Sequence, residues 1–142
     1  MTKQPLSEQF YFALVAFLLQ AKQQVVAISG ELGLTSVQAL TLLMVDSITA
    51  PSMSSLCKLY DCDASNITGI IDGLEQKGLV SRQPHPTDRR IKIIRLEPAG
   101  KQIQTNIIRH LVKNSDHLFD GLNQTELAQF ANLVQKLQIP KK

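Results

Sequence analysis

Cys57 and Cys62 are the only cysteines among the 142 residues, so no disulfide framework is expected. A zinc site built on them would need two further close ligands, and the neighbouring sequence offers none. There is no glycine-rich phosphate loop and no zinc-protease helix, and no serine, cysteine or carboxylate stands with a recognisable base and orienting partner. An enzyme is therefore not expected, and neither is a cofactor. No stretch approaches the roughly 20 uninterrupted apolar residues of a membrane span, and Met1-Thr2-Lys3-Gln4 opens no signal peptide, which predicts a cytoplasmic protein without a membrane partner. Charge of one sign is also scarce. A net charge of +3 and a pI near 9.0 are too modest to mark a nucleic-acid binder by themselves. What the chain does have is 44% hydrophobic residues, enough for the core of one compact domain.

The organising stretch is 52–96, where a short helix, a tight turn, a second helix and a basic hairpin follow one another without a spare residue. Ser52 is placed to cap a helix through Leu56, Cys57 and Leu59. Asp61 tolerates a left-handed backbone, Cys62 can plug the turn, and Asp63 can cap the next helix. That second helix, about 64–77, carries Ile67, Ile70, Ile71 and Leu74 at the spacing of one buried face. Ser65, Asn66, Thr68, Gly69, Asp72, Gly73 and Gln76 make up its other face. Small hydrogen-bonding side chains and two glycines leave room for close approach to something polar, and major-groove base edges fit that description. Asn66 suits adenine through its paired donor and acceptor.

Gly78 is expected to stop the helix, with strands at 79–82 and 91–96 on either side of a loop stiffened by Pro84 and Pro86. From Lys77 to Lys101 there are seven basic residues (Lys77, Arg82, Arg89, Arg90, Lys92, Arg95, Lys101) against two acids, Asp88 and Glu97. A basic stripe beside a polar-faced helix is the footprint of phosphate binding. Arg82, Arg89, Arg90 and Lys92 are thus candidate DNA contacts. His85 is a further phosphate contact whose charge would make binding mildly pH-dependent.

The run from Leu56 to Leu96, with Asp63-Ala64-Ser65-Asn66-Ile67-Thr68, Asp72-Gly73-Leu74-Glu75-Gln76-Lys77-Gly78-Leu79-Val80, Pro86-Thr87-Asp88-Arg89-Arg90 and Arg95-Leu96, resembles the multiple-antibiotic-resistance regulator (MarR) family of transcription factors. The chain length and the flanking helices are similar to that family throughout. The resemblance implies a homodimer that binds a pseudo-palindromic operator in double-stranded DNA, with Arg90 entering the minor groove and Asp88 orienting it. It also implies a repressor released by a small, often aromatic and acidic, effector held between the dimer helices and the DNA-binding lobe. Two departures stand out: positions 69 and 73, where family members often carry Arg, are Gly, and the usual Leu-Thr after the wing is Leu96-Glu97.

The predicted fold is mainly α with a small β-hairpin: a winged helix-turn-helix lobe at 35–96 and a helical dimerisation lobe from 6–30 and 98–139. Residues 6–29 place Leu6, Phe10, Ala13, Leu14, Phe17, Leu18, Ala21, Val25 and Ile28 on one apolar side, widened by Tyr11, Phe12, Val15 and Leu19, with Gly30 as the stop. So broad a face is more than one small domain covers, which predicts a second copy of the chain against it. Thr35-x-x-Gln38 reads as a capping box for a central helix to about Ser47, after which Thr49-Ala50-Pro51 breaks the chain. Pro98 starts a helix expected to run to about 120, and Asn123-x-x-Glu126 caps a last one before a frayed Pro140-Lys141-Lys142.

Two smaller constellations carry alternatives. Cys57 and Cys62 could make a redox-sensing regulator of the same fold, although both fall at small inward positions. His110 and His117, with Asn114, Asp116 and Asp120 nearby, could hold a metal across a dimer, but exposed helix histidines are commoner and no metal is expected. A winged-helix module that binds protein is the alternative from another class.

Overall fold

A computed structural model describes residues 7–45 and 50–137, the side chain of Asp116 apart. The expectations that touch Leu6, Ser47, Thr49 and Pro140-Lys141-Lys142 lie outside the described residues. Among the described residues, seven helices and one hairpin follow in order: α1 Glu8–Glu31, α2 Ser36–Met44, α3 Met53–Tyr60, α4 Ala64–Gln76, β1 Val80–Pro84, β2 Lys92–Leu96, α5 Pro98–Lys113, α6 Asp116–Phe119 and α7 Gln124–Lys136. The mainly helical class with a two-stranded antiparallel hairpin is as expected.

Local signals set most boundaries. Side chains of Ser52, Asp63 and Asn123 accept from the backbone N–H three residues on, and both the Thr35–Gln38 and Asn123–Glu126 capping boxes close. Helices α1, α3 and α4 all end on a left-handed residue: Gly33 (φ 67°), Asp61 (φ 48°) and Gly78 (φ 68°). In each case the next N–H reaches back five residues, Leu34 to Ser29 (2.9 Å), Cys62 to Cys57 (3.1 Å) and Leu79 to Leu74 (3.0 Å), which satisfies carbonyls the helix leaves open.

The stop of α1 is thus Gly33, not Gly30, which remains helical. Likewise the helix expected over 98–120 breaks after Lys113. The Asn114 side chain donates to the His110 carbonyl (2.8 Å), the Ser115 hydroxyl donates to the Val112 carbonyl (2.8 Å), and the Gln24 amide of α1 donates to the Asn114 carbonyl (2.7 Å). Side chain to backbone bonds of this kind offer the chain an alternative to continuing the helix.

The core lies where α1, α2, α4 and α5 meet the hairpin. Leu42, Leu56, Ile67, Ile71, Leu74, Ile94 and Ile107 are fully buried there. β1 and β2 pair from Val80↔Leu96 to Pro84↔Lys92, and Pro51-Ser52 runs along the free edge of β2: a Ser52↔Ile93 bridge and Ile94 N donating to the Pro51 carbonyl (2.8 Å) tie α3 to the hairpin. The α5 N-terminus closes on the same place. Glu97 N donates to the Leu79 carbonyl (3.0 Å), and a Cβ at Gly100 would run into that carbonyl.

Helix α1 is different in kind. With 24 residues and an 18-residue window of mean hydropathy 1.5, it is long and apolar enough to cross a membrane by length and composition. Only Val25, Ile28 and Ser29 of it are buried, while Phe12 is 75% exposed and Tyr11, Val15, Leu18 and Leu19 are exposed beside it. Polar Gln20, Lys22, Gln23 and Gln24 interrupt it, and its C-terminal half packs on α2 and α5.

Candidate nucleic-acid interface

Helix α4 presents the expected polar face. Ser65, Asn66, Thr68 and Gly69 are exposed, opposite Ile67, Ile71 and Leu74. The Ser65 hydroxyl donates to Asp63 Oδ1 (2.8 Å) and the Thr68 hydroxyl to the Ala64 carbonyl (2.7 Å). Both protons are therefore engaged inside the chain, and outward these two residues offer acceptor lone pairs. Asn66 alone of the three retains its side-chain donors as well as its acceptor, among the hydrogen bonds of the described residues. Asp63 underpins the group: its carboxylate, pushed below the usual range by the Asn66 N–H first and the Ser65 hydroxyl second, fixes the start of the helix.

Gly73 does not belong to that face. It is half-buried against α2, where an added Cβ would lie 2.6 Å from Gln38 Nε2, the side chain that closes the Thr35 capping box. Its small size leaves room for the Gln38 side chain, and Gly69, with open space around it, leaves room on the outer face.

The wing turns at 85–91, held by His85 N donating to the Ile91 carbonyl (2.8 Å) and Ile91 N to the Asp88 carbonyl (3.0 Å). Asp88 and Arg90 meet side by side: Arg90 Nε to Asp88 Oδ1 and Nη2 to Oδ2, each 3.1 Å, with Arg90 N also donating to Oδ1 (3.1 Å). This paired geometry aims the guanidinium while leaving the side chain 91% exposed. The Arg90 guanidinium and then its backbone N–H hold the Asp88 carboxyl below its ordinary value, with a smaller contribution from His85, and Asp88 in turn raises that of Arg90. Arg89 and Lys92 are exposed on the same hairpin. His85 is half-buried. Its Nδ1 accepts from Thr87 N (3.2 Å), so the neutral ring carries its proton on Nε2, and that N–H is what a phosphate would meet.

Arg82 departs from expectation. Its Nη1 pairs with Glu75 Oε2 and its Nη2 with Asp72 Oδ1 (2.7 Å), so this guanidinium faces α4 and is not a free cation of the wing. Acids at 72 and 75, one helical turn apart and just before the Gly78 turn, are a signal that a basic-residue count passes over.

Cys57 and Cys62 are free and half-buried against the core. Partial burial first, then Cys57, Asp63 and Asp61, push the Cys62 thiol up, away from the thiolate that redox chemistry uses. His117 Nδ1 lies 3.8 Å from Asp120, and among the described residues no three metal-ligating side chains come together. A cleft of about 620 Å³ opens between α1 and α5–α6, lined by Gln20, Gln23, Gln24, His110, Asn114 and His117 among others.

A recognition helix with a paired-carboxylate arginine wing, on this order of elements, coincides with a family model: residues 34–92 match that of the MarR family. Over those residues the chain carries a MarR-family domain, and its fold is that of the family's solved structures. A candidate transcriptional regulatory protein for the hcr operon of Thauera aromatica is 30% identical over 86 residues, 61% of this chain. The chain spans about half the length of that curated relative, 52%. CouR from Rhodococcus jostii, bound to p-coumaroyl-CoA, is 25% identical, with 99% of each chain covered and a TM-score of 0.74. A mutant MarR from E. coli complexed with operator DNA is 20% identical, with 93% and 95% covered and a TM-score of 0.70, a likeness of fold. MarR-family proteins are transcription regulators and not enzymes, and the chain's fold is theirs.

Proposed function

We propose that the chain is a homodimeric, sequence-specific regulator of transcription that binds a pseudo-palindromic operator in duplex DNA. The observation that carries this reading is the Asp88–Arg90 pair, which holds one exposed guanidinium at the tip of a hairpin beside the polar face of α4. A guanidinium so aimed suits the narrow minor groove, while Ser65, Asn66 and Thr68 suit the adjacent major groove. Arg89, Lys92 and the His85 Nε2–H are then phosphate contacts that position the protein without reading sequence. Two-fold symmetry follows from the exposed apolar faces of α1 and α7, which a second copy would cover. The regulator is a cytoplasmic repressor released by an effector. CouR, with its bound p-coumaroyl-CoA, supports an aromatic acid or its thioester as the ligand class. The elevated Cys62 thiol weighs against the redox alternative.

The test is enrichment of duplex fragments by the purified chain, followed by titration at several salt concentrations. A two-fold symmetric footprint and a steep salt dependence are expected. Asn66→Ala should change the preferred base at one symmetric pair of positions and cost about 1–3 kcal/mol per contact. Equal weakening on every sequence would show that Asn66 only positions the helix. Absence of salt-sensitive duplex binding would sink the reading and favour the protein-interaction module.

A further inference from the structure

Arg82 is heavily engaged, and all its hydrogen-bond partners among the described residues lie on one helix, α4. Its backbone N donates to Glu75 Oε1 (2.9 Å), Nη1 pairs with Glu75 Oε2, and Nη2 reaches Asp72 Oδ1 (2.7 Å) and the Thr68 carbonyl (3.4 Å). The side chain is 24% exposed, against 91% for Arg90. A planar guanidinium gripping two carboxylates one turn apart fixes both distance and rotation, which a lysine ammonium does not.

The place of this grip in the fold gives it a consequence. Arg82 stands in the middle of β1, paired with Ile94 of β2, and Ile94 is fully buried. The only covalent link between α4 and β1 is the turn at Gly78. The hairpin therefore leaves the body of the lobe at an angle set on one side by Ile94 in the core and on the other by Arg82 against α4. Any rotation at that point swings the tip, where Arg90 sits. The grip also masks charge: Asp72 is half exposed at the edge of the polar face of α4, where an unpaired carboxylate would repel phosphate.

We infer that Arg82 is a positioning residue that sets the angle between the recognition helix and the wing, so that α4 and Arg90 enter neighbouring grooves together. It acts through Asp72 and Glu75 and touches no phosphate. This inference rests on the DNA-binding reading for its consequence, but the clamp itself is testable without DNA.

The experiment compares the full chain with Arg82→Lys and with the double variant Asp72→Asn, Glu75→Gln, which releases the clamp while keeping Arg82. In the free protein, amide hydrogen exchange across 80–84 and 92–96 should rise in both, with Ile67, Ile71 and Leu74 still protected. Unchanged exchange in the hairpin overturns the clamp whether or not the protein binds DNA. On an enriched operator, Arg82→Lys should lose about tenfold to hundredfold in affinity despite its retained charge, with wing protection at the flanks lost and the base preference of α4 kept. In an Arg90→Ala background the same change should cost little more, because both act through one wing. Wild-type affinity in Arg82→Lys, or losses that add to that of Arg90→Ala, would make Arg82 an independent phosphate contact and overturn the inference. If the unaltered chain binds no duplex, the DNA reading fails and hydrogen exchange alone decides the clamp.

Discussion

Helices α4 and α7 are each 13 residues long, each opens on a capped N-terminus and each carries apolar residues at helical spacing. In α4 that stripe is sealed: Ile67, Ile71 and Leu74 are fully buried against α2, α3 and the hairpin. In α7 no residue is buried, Leu133 and Val134 are exposed, and Leu137 just past its end is 80% exposed. What ties α7 to the rest is an aromatic cluster in which Phe130 meets Phe17 and Phe119 at centroid distances of 5.7 and 6.0 Å. Amphipathicity therefore states that a face is to be covered without stating by what. The winged helix-turn-helix lobe finds its cover within one chain. The N-terminal half of α1 and most of α7 do not, and they leave an apolar demand that a second copy would meet.

The largest expected effect comes from breaking that second cover. Leu18 is exposed in the single chain, so Leu18→Glu should leave helical content unchanged, yet place a charge in the proposed dimer interface. Light scattering at micromolar concentration should turn from dimer to monomer. Operator affinity should fall on the order of a hundredfold or more as the two half-sites lose their linkage. A wild-type chain that scatters as a monomer, or a variant that remains dimeric with full affinity, would remove the dimer from the argument.

A smaller effect separates the two regions within one chain. Gly100 packs on the Leu79 carbonyl at the base of the wing, whereas Gly121, between α6 and α7, has nothing within 4 Å of an added Cβ. Gly100→Ala should destabilise by about 1–3 kcal/mol, the usual cost of overpacking a tight contact. Gly121→Ala should change stability by no more than about 0.5 kcal/mol. Urea unfolding of the two variants side by side checks this, and similar midpoints would show that the α5 N-terminus can shift away from Leu79.

The same contrast explains which features were legible in the residues alone. The caps at Thr35, Ser52, Asp63 and Asn123, the left-handed turn at Asp61, the Gly78 stop and the buried face of α4 are readable there, because each is decided by side chains within a few residues of one another; the Asp88–Arg90 pairing comes from the family resemblance. Gly33 in place of Gly30 is not readable there, since either glycine can end a helix and the choice falls with the Leu34 to Ser29 bond that closes it. Helical spacing puts Gly73 on the outer face, but the arrival of Gln38 from α2 decides its surroundings. The break at Asn114 depends partly on Gln24, 90 residues away in sequence. Arg82 counts as a wing cation by charge alone, because a charge count cannot see that Asp72 and Glu75 fold back to meet it. Positions whose packing is set by a distant neighbour are the ones the residues alone do not place.

The smallest effect is a difference in how the two matched helices respond to acid. The α4 cap is the carboxylate of Asp63, while the α7 cap is the amide of Asn123, which has no proton to gain. Hydrogen bonds from the Asn66 N–H and then the Ser65 hydroxyl depress the Asp63 value in the folded chain. A depressed carboxylate contributes stability that is fully present above its unfolded value, about 4, and is lost as pH falls through the lower folded value. Between pH 6 and 4 the Asn66 amide should therefore stay protected, and below that range it should begin to exchange and shift, while the Glu126 N–H bond to the Asn123 side chain survives. Asp63→Asn keeps a good cap without a titrating group, so it should abolish the acid response at Asn66. Amide chemical shifts followed from pH 6 to 3 in both proteins measure this directly. An acid response at Asn66 that persists unchanged in Asp63→Asn would mean that α4 loosens through loss of its lobe as a whole, and not through its cap.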